Sequence, residues 1–509
     1  MRFWTLGEQS LTWDDYNGLV GLSQDSLPAS VALARQVNPE GAPLYHVVQY
    51  LASIAIGTSP LAMRLLSVAL GLATLPLVYA AGARVFGRGA GLVAAWFFAL
   101  SPLHIYHDQS IRNYALYALL GAAALYTQIR CLQDGKRGWF AANMLANTLL
   151  VWTHLLGVFF VAAQGAAWLS ASRRRLRTAL LWAAVQGVLL LPLAGWVATM
   201  PHVPDTGYWH FRAPTAPEVL FTLVMPDFLR TTPKLGPGGE LWRLSLGGLT
   251  SDGPEAFRAV GAVLFLCFGG GLAGWALWCA WRRQRRPGEP DRDAVAALLA
   301  CALLPGIGLA LTSHLWRPMY YQRYLLPSTL PLYVLAGGAL MLLVRPRGLR
   351  AAVLALLALA MLQQLSLTLP RAIVIRTPWA QAGQKLLRET RPGDQILVGG
   401  FGNGWTNLRL LAANMPATAL PIAPAHTLDA AVVKCAMLLC PGAPTAAPPV
   451  PEGGSVWYVS NLLWGRTRLD GLEEHLRALD LEVVREDLDG DEGIAILRVS
   501  RGAAPPARV

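Results

Sequence analysis

The sequence predicts a polytopic α-helical membrane protein with a small α/β domain at its C-terminal end. Hydrophobic residues fill 54% of the 509 positions and charged residues only 14%, with a mean hydropathy of +0.40. A soluble chain carries about 25% charge, so the missing charge points to a bilayer. Apolar runs of spanning length recur along the chain, and after residue 370 the pattern changes to short strands and one amphipathic helix. The net charge of +12 raises nucleic-acid binding as a class. The arginines, however, gather in short loops between apolar runs, as membrane topology demands, and that class is excluded.

In order, the runs that fit a crossing lie near residues 61–81, 89–106, 114–129, 177–200, 256–281, 293–312, 324–344 and 350–369. At about 1.5 Å per residue, roughly 20 residues cross the ~30 Å apolar core. The run from Trp139 to Ser170 has Arg130, Lys136 and Arg137 before it and Arg173, Arg174, Arg175 and Arg177 after it. Positive charge at both ends places both on the cytoplasmic side, so the run reads as two short crossings turning at Thr153-His154. The same rule makes cytoplasmic the loops holding Arg84 and Arg88, Arg282 to Arg286, and Arg345 to Arg350. About ten spans result.

Three regions follow: residues 1–60, a first extracytoplasmic loop whose 41–58 stretch reads as an interfacial helix; residues 61–370, the transmembrane domain with a long outer loop at 201–255; and residues 371–509, an extracytoplasmic α/β domain with a flexible tail. In that domain Thr377-Pro378 reads as a helix start, and Gln395 to Val398, Ser455 to Ser460 and Ile494 to Val499 as strands. A Pro-rich linker runs from Pro441 to Pro451. Residues Met1 to Gln9 hold Arg2 and Glu8 but no apolar stretch, so no cleavable signal peptide is read there. Of the six cysteines, only Cys435 and Cys440 fall in the outer domain, where a disulfide, free thiols and zinc ligation are the readings.

The polar clusters with catalytic potential share one face of the membrane: Asp14 and Asp15, then His104, His107, Asp108 and Arg112, then His154, then Arg317, Tyr320, Tyr321 and Arg323. The runs themselves carry essentially no mid-membrane charge, whereas an ion-coupled transporter places acids or histidines near the midplane. A carboxylate with clustered arginines suits an alcohol attacking a carbon whose leaving group is a phosphate. The acid takes the alcohol's proton, and the arginines meet the charge on the departing oxygen. The bland readings are a surface turn for the acids, helix capping for His104 and His107, snorkelling for Arg112 and Arg323, and interface anchoring for Trp209, His210 and Arg212.

The order Leu6-Gly7, Ser10-Leu11, Asp14-Asp15, Ala42-Pro43-Leu44-Tyr45, Arg64-Leu65-Leu66-Ser67, Phe86-Gly87, Ser101-Pro102-Leu103-His104, Gln109, Arg112 and Tyr114 resembles the GT-C superfamily of membrane glycosyltransferases. Within it, the chain is similar to the family 39 and aminoarabinose-transferase-like group. Thr153-His154, Gly157 and Arg323-Tyr324-Leu325-Leu326-Pro327 extend the resemblance over roughly residues 6–345.

The resemblance implies a GT-C bundle and inverting transfer of a sugar from a polyprenyl-phosphate donor to an acceptor hydroxyl on the outer face of the bacterial inner membrane. The acceptor class stays open among lipid, glycan and protein. By the same resemblance Asp14 is the general base, with Asp15 in place of the family's Glu. Arg112 and Arg323 lie near the donor phosphate, His154 and Tyr114 are weaker members of that pocket, and Asp108, His107, Arg317 and Tyr321 are further candidates. No cofactor is expected, and metal ligands beyond Asp14, Asp15 and Asp108 are not indicated.

Three departures from the family pattern stand out. Its Ser-Gln-Glu-Ala-Arg is here Asp108-Gln109-Ser110-Ile111-Arg112, and its His-Pro-Pro is Gly41-Ala42-Pro43. The family also has a span before the acidic loop, which this sequence does not show; the expectation is a start upstream of Met1, the alternative a first loop without that anchor. A flippase or transporter of a lipid-linked substrate, or a noncatalytic membrane scaffold, is the alternative reading.

Overall fold

The computed structural model describes residues 1–37 (except 8 and 10), 41–170, 176–200, 213–224, 230–232, 243–245, 291–368, 379–391, 394–399, 454–461, 473–474, 476–478, 481–488 and 494–501. The chain divides into two compact units. The first holds residues 1–6 and most of 17–369, and the second holds residues 7–16 and 370–509.

The first unit is a helical bundle. Helices α1 (Trp13–Leu19), which begins in the other unit, α2 (Leu27–Val37) and α3 (Leu44–Ile56) precede α4 (Pro60–Phe86), α5 (Arg88–Leu100) and α6 (Pro102–Asp108). Then come α7 (Tyr114–Asp134), α8 (Arg137–Thr153), α9 (Gly157–Ser170), α10 (Leu176–Ala198) and α11 (Ala216–Val224). After a short antiparallel pair, β1 (Arg230–Thr232) and β2 (Arg243–Ser245), follow α12 (Arg292–Leu315), α13 (Leu326–Leu343) and α14 (Arg347–Thr368).

Among the described residues five helices are long and apolar enough to cross a membrane: α4, α7, α10, α12 and α13 with the 3-10 turn before it. Counting the bent pair α5 and α6 as one span makes six. The expected span at 256–281 lies outside the described residues. The run at 89–106 is not one straight crossing, because α5 and α6 meet at 60°. Ser101 caps α6 through its side chain and Pro102 follows at the first helical position, a pairing that starts a new helix rather than continuing the old one. The Trp139 to Ser170 run is two helices joined at His154, as the flanking arginines require. The 41–58 stretch forms α3, with Tyr45, His46 and Gln49 buried and Leu51, Ile54 and Ile56 exposed. An apolar outer face on a short helix suits contact with lipid. Helices α1 and α2 had no apolar signature to announce them.

Close helix approach in the bundle rests on small residues. A Cβ on Gly82 of α4 would lie 2.8 Å from the Gly91 Cα of α5, and Gly87, at φ +93°, makes the turn between them. A buried amide network joins α7 to α10. Asn143 Nδ2 donates to the Ala124 carbonyl and to Gln164 Oε1, both at 3.0 Å, while its Oδ1 accepts from Trp182 Nε1 at 2.8 Å. Gln164 Nε2 donates to Asn147 Oδ1 at 2.9 Å, and Gln128 Nε2 to the Gln164 carbonyl at 3.0 Å. In an apolar interior such groups stay only if they satisfy one another, which fixes helix register.

The second unit contains α15 (Trp379–Glu389) and strands β3 (Gln395–Gly399), β4 (Ser455–Asn461), β5 (Leu481–Leu488) and β6 (Ile494–Arg501), in the order β3-β4-β6-β5. Only β3 and β4 run parallel. The three expected strands form, and α15 starts just after Thr377-Pro378. Strand β5 escaped notice because its Glu-Val-Val-Arg-Glu-Asp stretch is mostly charged, as a half-exposed edge allows. Asp394 ties the sheet together, accepting from the Ser455 amide at 2.7 Å and from Trp457 Nε1 at 2.9 Å. Cys435 and Cys440 lie outside the described residues.

Asn143→Ala leaves Trp182 Nε1 and Gln164 short of partners in an apolar interior. The expected cost is about 1–2 kcal/mol of fold stability, read by unfolding titration in mixed micelles.

Candidate active site

The acidic pair opens α1, and its two members differ. Thr12 precedes the helix: its Oγ1 accepts from the Asp15 amide at 3.0 Å, and its own amide donates to Asp15 Oδ2 at 3.2 Å. This reciprocal arrangement is a capping box, with Asp where Glu or Gln usually stands. Asp15 is fully buried and serves the helix start, whereas Asp14 is half-buried in the first turn.

In the first unit three turns converge. The α6–α7 turn supplies Arg112, followed by Tyr114 at the start of α7. The α8–α9 turn supplies His154, and the 3-10 turn Gln322–Leu325 supplies Arg323 and Tyr324. They are stitched to one another. Asn113 Nδ2 donates to the Thr153 carbonyl at 2.7 Å, and the Tyr117 hydroxyl donates to the Tyr324 carbonyl at 3.3 Å. The His154 ring stacks on Tyr117 with centroids 4.9 Å apart and lies 5.1 Å from Tyr324 and 6.1 Å from Tyr114. The Arg323 guanidinium carbon sits 4.6 Å from the Tyr321 ring centre, 5.4 Å from that of Tyr114 and 5.6 Å from that of Tyr324. Such an aromatic cage holds a guanidinium in place by cation–π contact.

Burial, then the charges of Arg323 and Arg112, push the His154 imidazole down to about 3. Its Nδ1 accepts from the Leu156 amide at 3.3 Å, so in the neutral ring the proton sits on Nε2. His46 of α3 is likewise lowered to about 4, by burial and then by Arg112. A small cavity beside Arg112 is bounded by Gly18, Gly41, Ala42, Tyr45, His46 and Asn113. Two guanidinium groups, two imidazoles that burial keeps neutral and several tyrosine rings are gathered here.

Of the remaining candidates, His107 joins this wall through Tyr114, their rings 4.7 Å apart. Asp108 is engaged elsewhere, paired with Arg2 at 2.6 Å. The His104 amide donates to the capping Ser101 Oγ at 3.1 Å, and its Nε2 lies 2.7 Å from Thr329 Oγ1, a helix-end role. Arg317 follows α12, with its amide donating to the Thr312 carbonyl at 3.2 Å. Trp209, His210 and Arg212 lie outside the described residues. The sequence reading gave no role to Tyr117, Tyr324 or His46. Tyr117 is three residues after Tyr114 on one helix face, a spacing that could have found it.

His154, neutral from pH 5 to 8, contributes no titration to anion binding. Phosphate-ligand affinity measured across that range should follow one profile in the wild type and in His154→Gln; a His154-dependent inflection near its ordinary value would contradict this. Because the folded form holds the imidazole neutral, its contribution to stability is present at neutral pH and is lost as pH falls from the ordinary value toward about 3.

Residues 40–197 match the family model described as dolichyl-phosphate-mannose-protein mannosyltransferase. No curated protein matches the chain by sequence. Among solved structures, ArnT from Cupriavidus metallidurans in the apo state superposes with a TM-score of 0.52 at 14% identity, covering 97% of this chain and 95% of that one. The same protein bound to undecaprenyl phosphate gives a TM-score of 0.51 at 15% identity with the same coverage. The chain is a multi-pass membrane protein with the GT-C fold, the superfamily that its ordered motifs resemble.

Proposed function

We propose that the chain is a glycosyltransferase that moves a sugar from a polyprenyl-phosphate donor to an acceptor hydroxyl on the outer face of the bacterial inner membrane. The observation that carries this is the pair of guanidinium groups, Arg112 and Arg323, whose fields meet at the neutral ring of His154. The fold it shares with ArnT, which has been solved bound to undecaprenyl phosphate, supports a lipid phosphate as the anion.

In this reading Asp14 removes the acceptor's hydroxyl proton as its oxygen attacks the anomeric carbon. The bond from that carbon to the phosphate oxygen breaks, and the polyprenyl phosphate leaves with its charge met by Arg112 and Arg323. His154 donates through Nε2 to the same phosphate, and Tyr114 walls the pocket. One displacement inverts the anomeric centre. The reading needs no divalent ion. Asp14 is preferred over Asp15 as base because the Asp15 carboxylate already holds the Thr12 amide.

The test uses protein in lipid with a panel of radiolabelled polyprenyl-phosphate sugars. Asp14→Asn should cut label release by about 10²- to 10⁴-fold with donor affinity within threefold of wild type. Arg323→Ala should weaken donor binding itself by roughly 10-fold or more, as expected for a lost charge-assisted contact. Asp15→Asn should lower stability by about 1 kcal/mol, the value of a cap, with a smaller loss of turnover than Asp14→Asn. Release that survives Asp14→Asn would remove the base from this residue, and a protein that binds none of the sugar lipids would be no transferase of this class.

A further inference from the structure

The family's second acid is displaced in this chain, and the structure shows what Asp108 does instead. Its carboxylate, fully buried, accepts from Arg2 Nε at 2.6 Å. The rest of the Arg2 guanidinium is used at the end of α5, with Nη1 donating to the Ala99 carbonyl at 2.9 Å and Nη2 to the Phe98 carbonyl at 3.1 Å. Both carbonyls lie in the last turn of α5, where a cation is favoured, and that of Phe98 also accepts from the Ser101 amide at 3.3 Å. Gln109 Nε2 lies 3.1, 2.9 and 3.2 Å from the carbonyls of Met1, Arg2 and Trp4. Arg64 Nη1 of α4 holds the Leu6 carbonyl at 3.1 Å. Helix α4 is shaped for the pair, since a Cβ on Gly71 would overlap the Asp108 carboxylate.

Residues 1–6 are thus fastened to the bundle directly before the acidic stretch 7–16 in sequence. Just after it the chain is fastened again: Gly18, four residues beyond Asp14 on α1, packs so closely on the Ile111 carbonyl that any Cβ there would overlap it. Both fastenings include contacts to the segment 108–111, directly before Arg112.

We propose that the Arg2–Asp108 pair is a positioning device that anchors residues 1–6, the segment directly before the stretch carrying Asp14, so that Asp108 acts through Arg2 and not on substrate. This rests on the reading of Asp14 as the base. Removing the pair should loosen residues 7–16 and lower turnover without touching the phosphate site, because a base displaced by about 1 Å costs on the order of 10²-fold in rate.

The experiment compares wild type with Arg2→Gln, Asp108→Asn, the double variant and Arg2→Lys, all in lipid nanodiscs, with Asp14→Asn alongside. Hydrogen exchange of amides 7–16 should accelerate at least 10-fold in Arg2→Gln and in Asp108→Asn, no further in the double variant, and less in Arg2→Lys, while α8 and α9 keep wild-type protection. Turnover should fall about 100-fold with polyprenyl-phosphate affinity within threefold and the pH–rate profile unchanged in shape. Unchanged exchange over 7–16 would overturn the proposal, as would loosened exchange with undiminished turnover. Loss of a limb of the pH profile in Asp108→Asn alone would overturn it too, because Asp108 would then be a catalytic acid. Should Asp14→Asn retain full transfer, it is the choice of base that fails, and the exchange data alone decide whether the pair fastens the loop.

Discussion

The first unit hangs on the five-residue segment from Asp108 to Arg112, whose first four residues are tied to three parts of the chain: residues 1–4, α4 and α1. Asp108 holds Arg2, Gln109 holds the carbonyls of residues 1, 2 and 4, the Ser110 carbonyl accepts from Ser67 Oγ at 2.7 Å, and the Ile111 carbonyl is packed by Gly18. The charge of the fifth residue, Arg112, is felt by both His154 and His46. In a low-dielectric interior an unpaired backbone or side-chain group is costly, so these ties define one conformation of the turn rather than several. Arg112 inherits its position from that constraint.

The second and third turns are held by the same logic at lower density. Asn113 reaches across to the α8 end, and Tyr117 reaches to the Tyr324 carbonyl. Aromatic rings then pack around the Arg323 guanidinium and hold it in place. The amide network through Asn143 and Gln164 sets the register of α7 to α10, on which His154 and Tyr117 depend.

Much of this was legible in the sequence because it is local. Apolar runs marked α4, α7, α10, α12 and α13, arginine flanks divided α8 from α9, and short stretches were readable as the strands β3, β4 and β6. What was not legible is long-range. The partner of Asp108 lies 106 residues away, and nothing near either residue announces it. The capping role of Asp15 was hidden by its neighbour, since Thr12-x-x-Asp15 spells a capping box as plainly as Asp14-Asp15 spells an acidic pair. The 60° break after Ser101 follows from Ser-Pro chemistry, but the continuous apolar pattern on either side outweighed it. A fold shared with ArnT at 14% identity fixes the bundle and leaves the side chains to be argued one by one.

The most direct measurement is an electron cryo-microscopy structure of the chain in lipid nanodiscs with a polyprenyl phosphate bound. The account predicts phosphate density within hydrogen-bond reach of both Arg112 and Arg323, beside the Nε2 face of His154. Phosphate density away from all three side chains would contradict it.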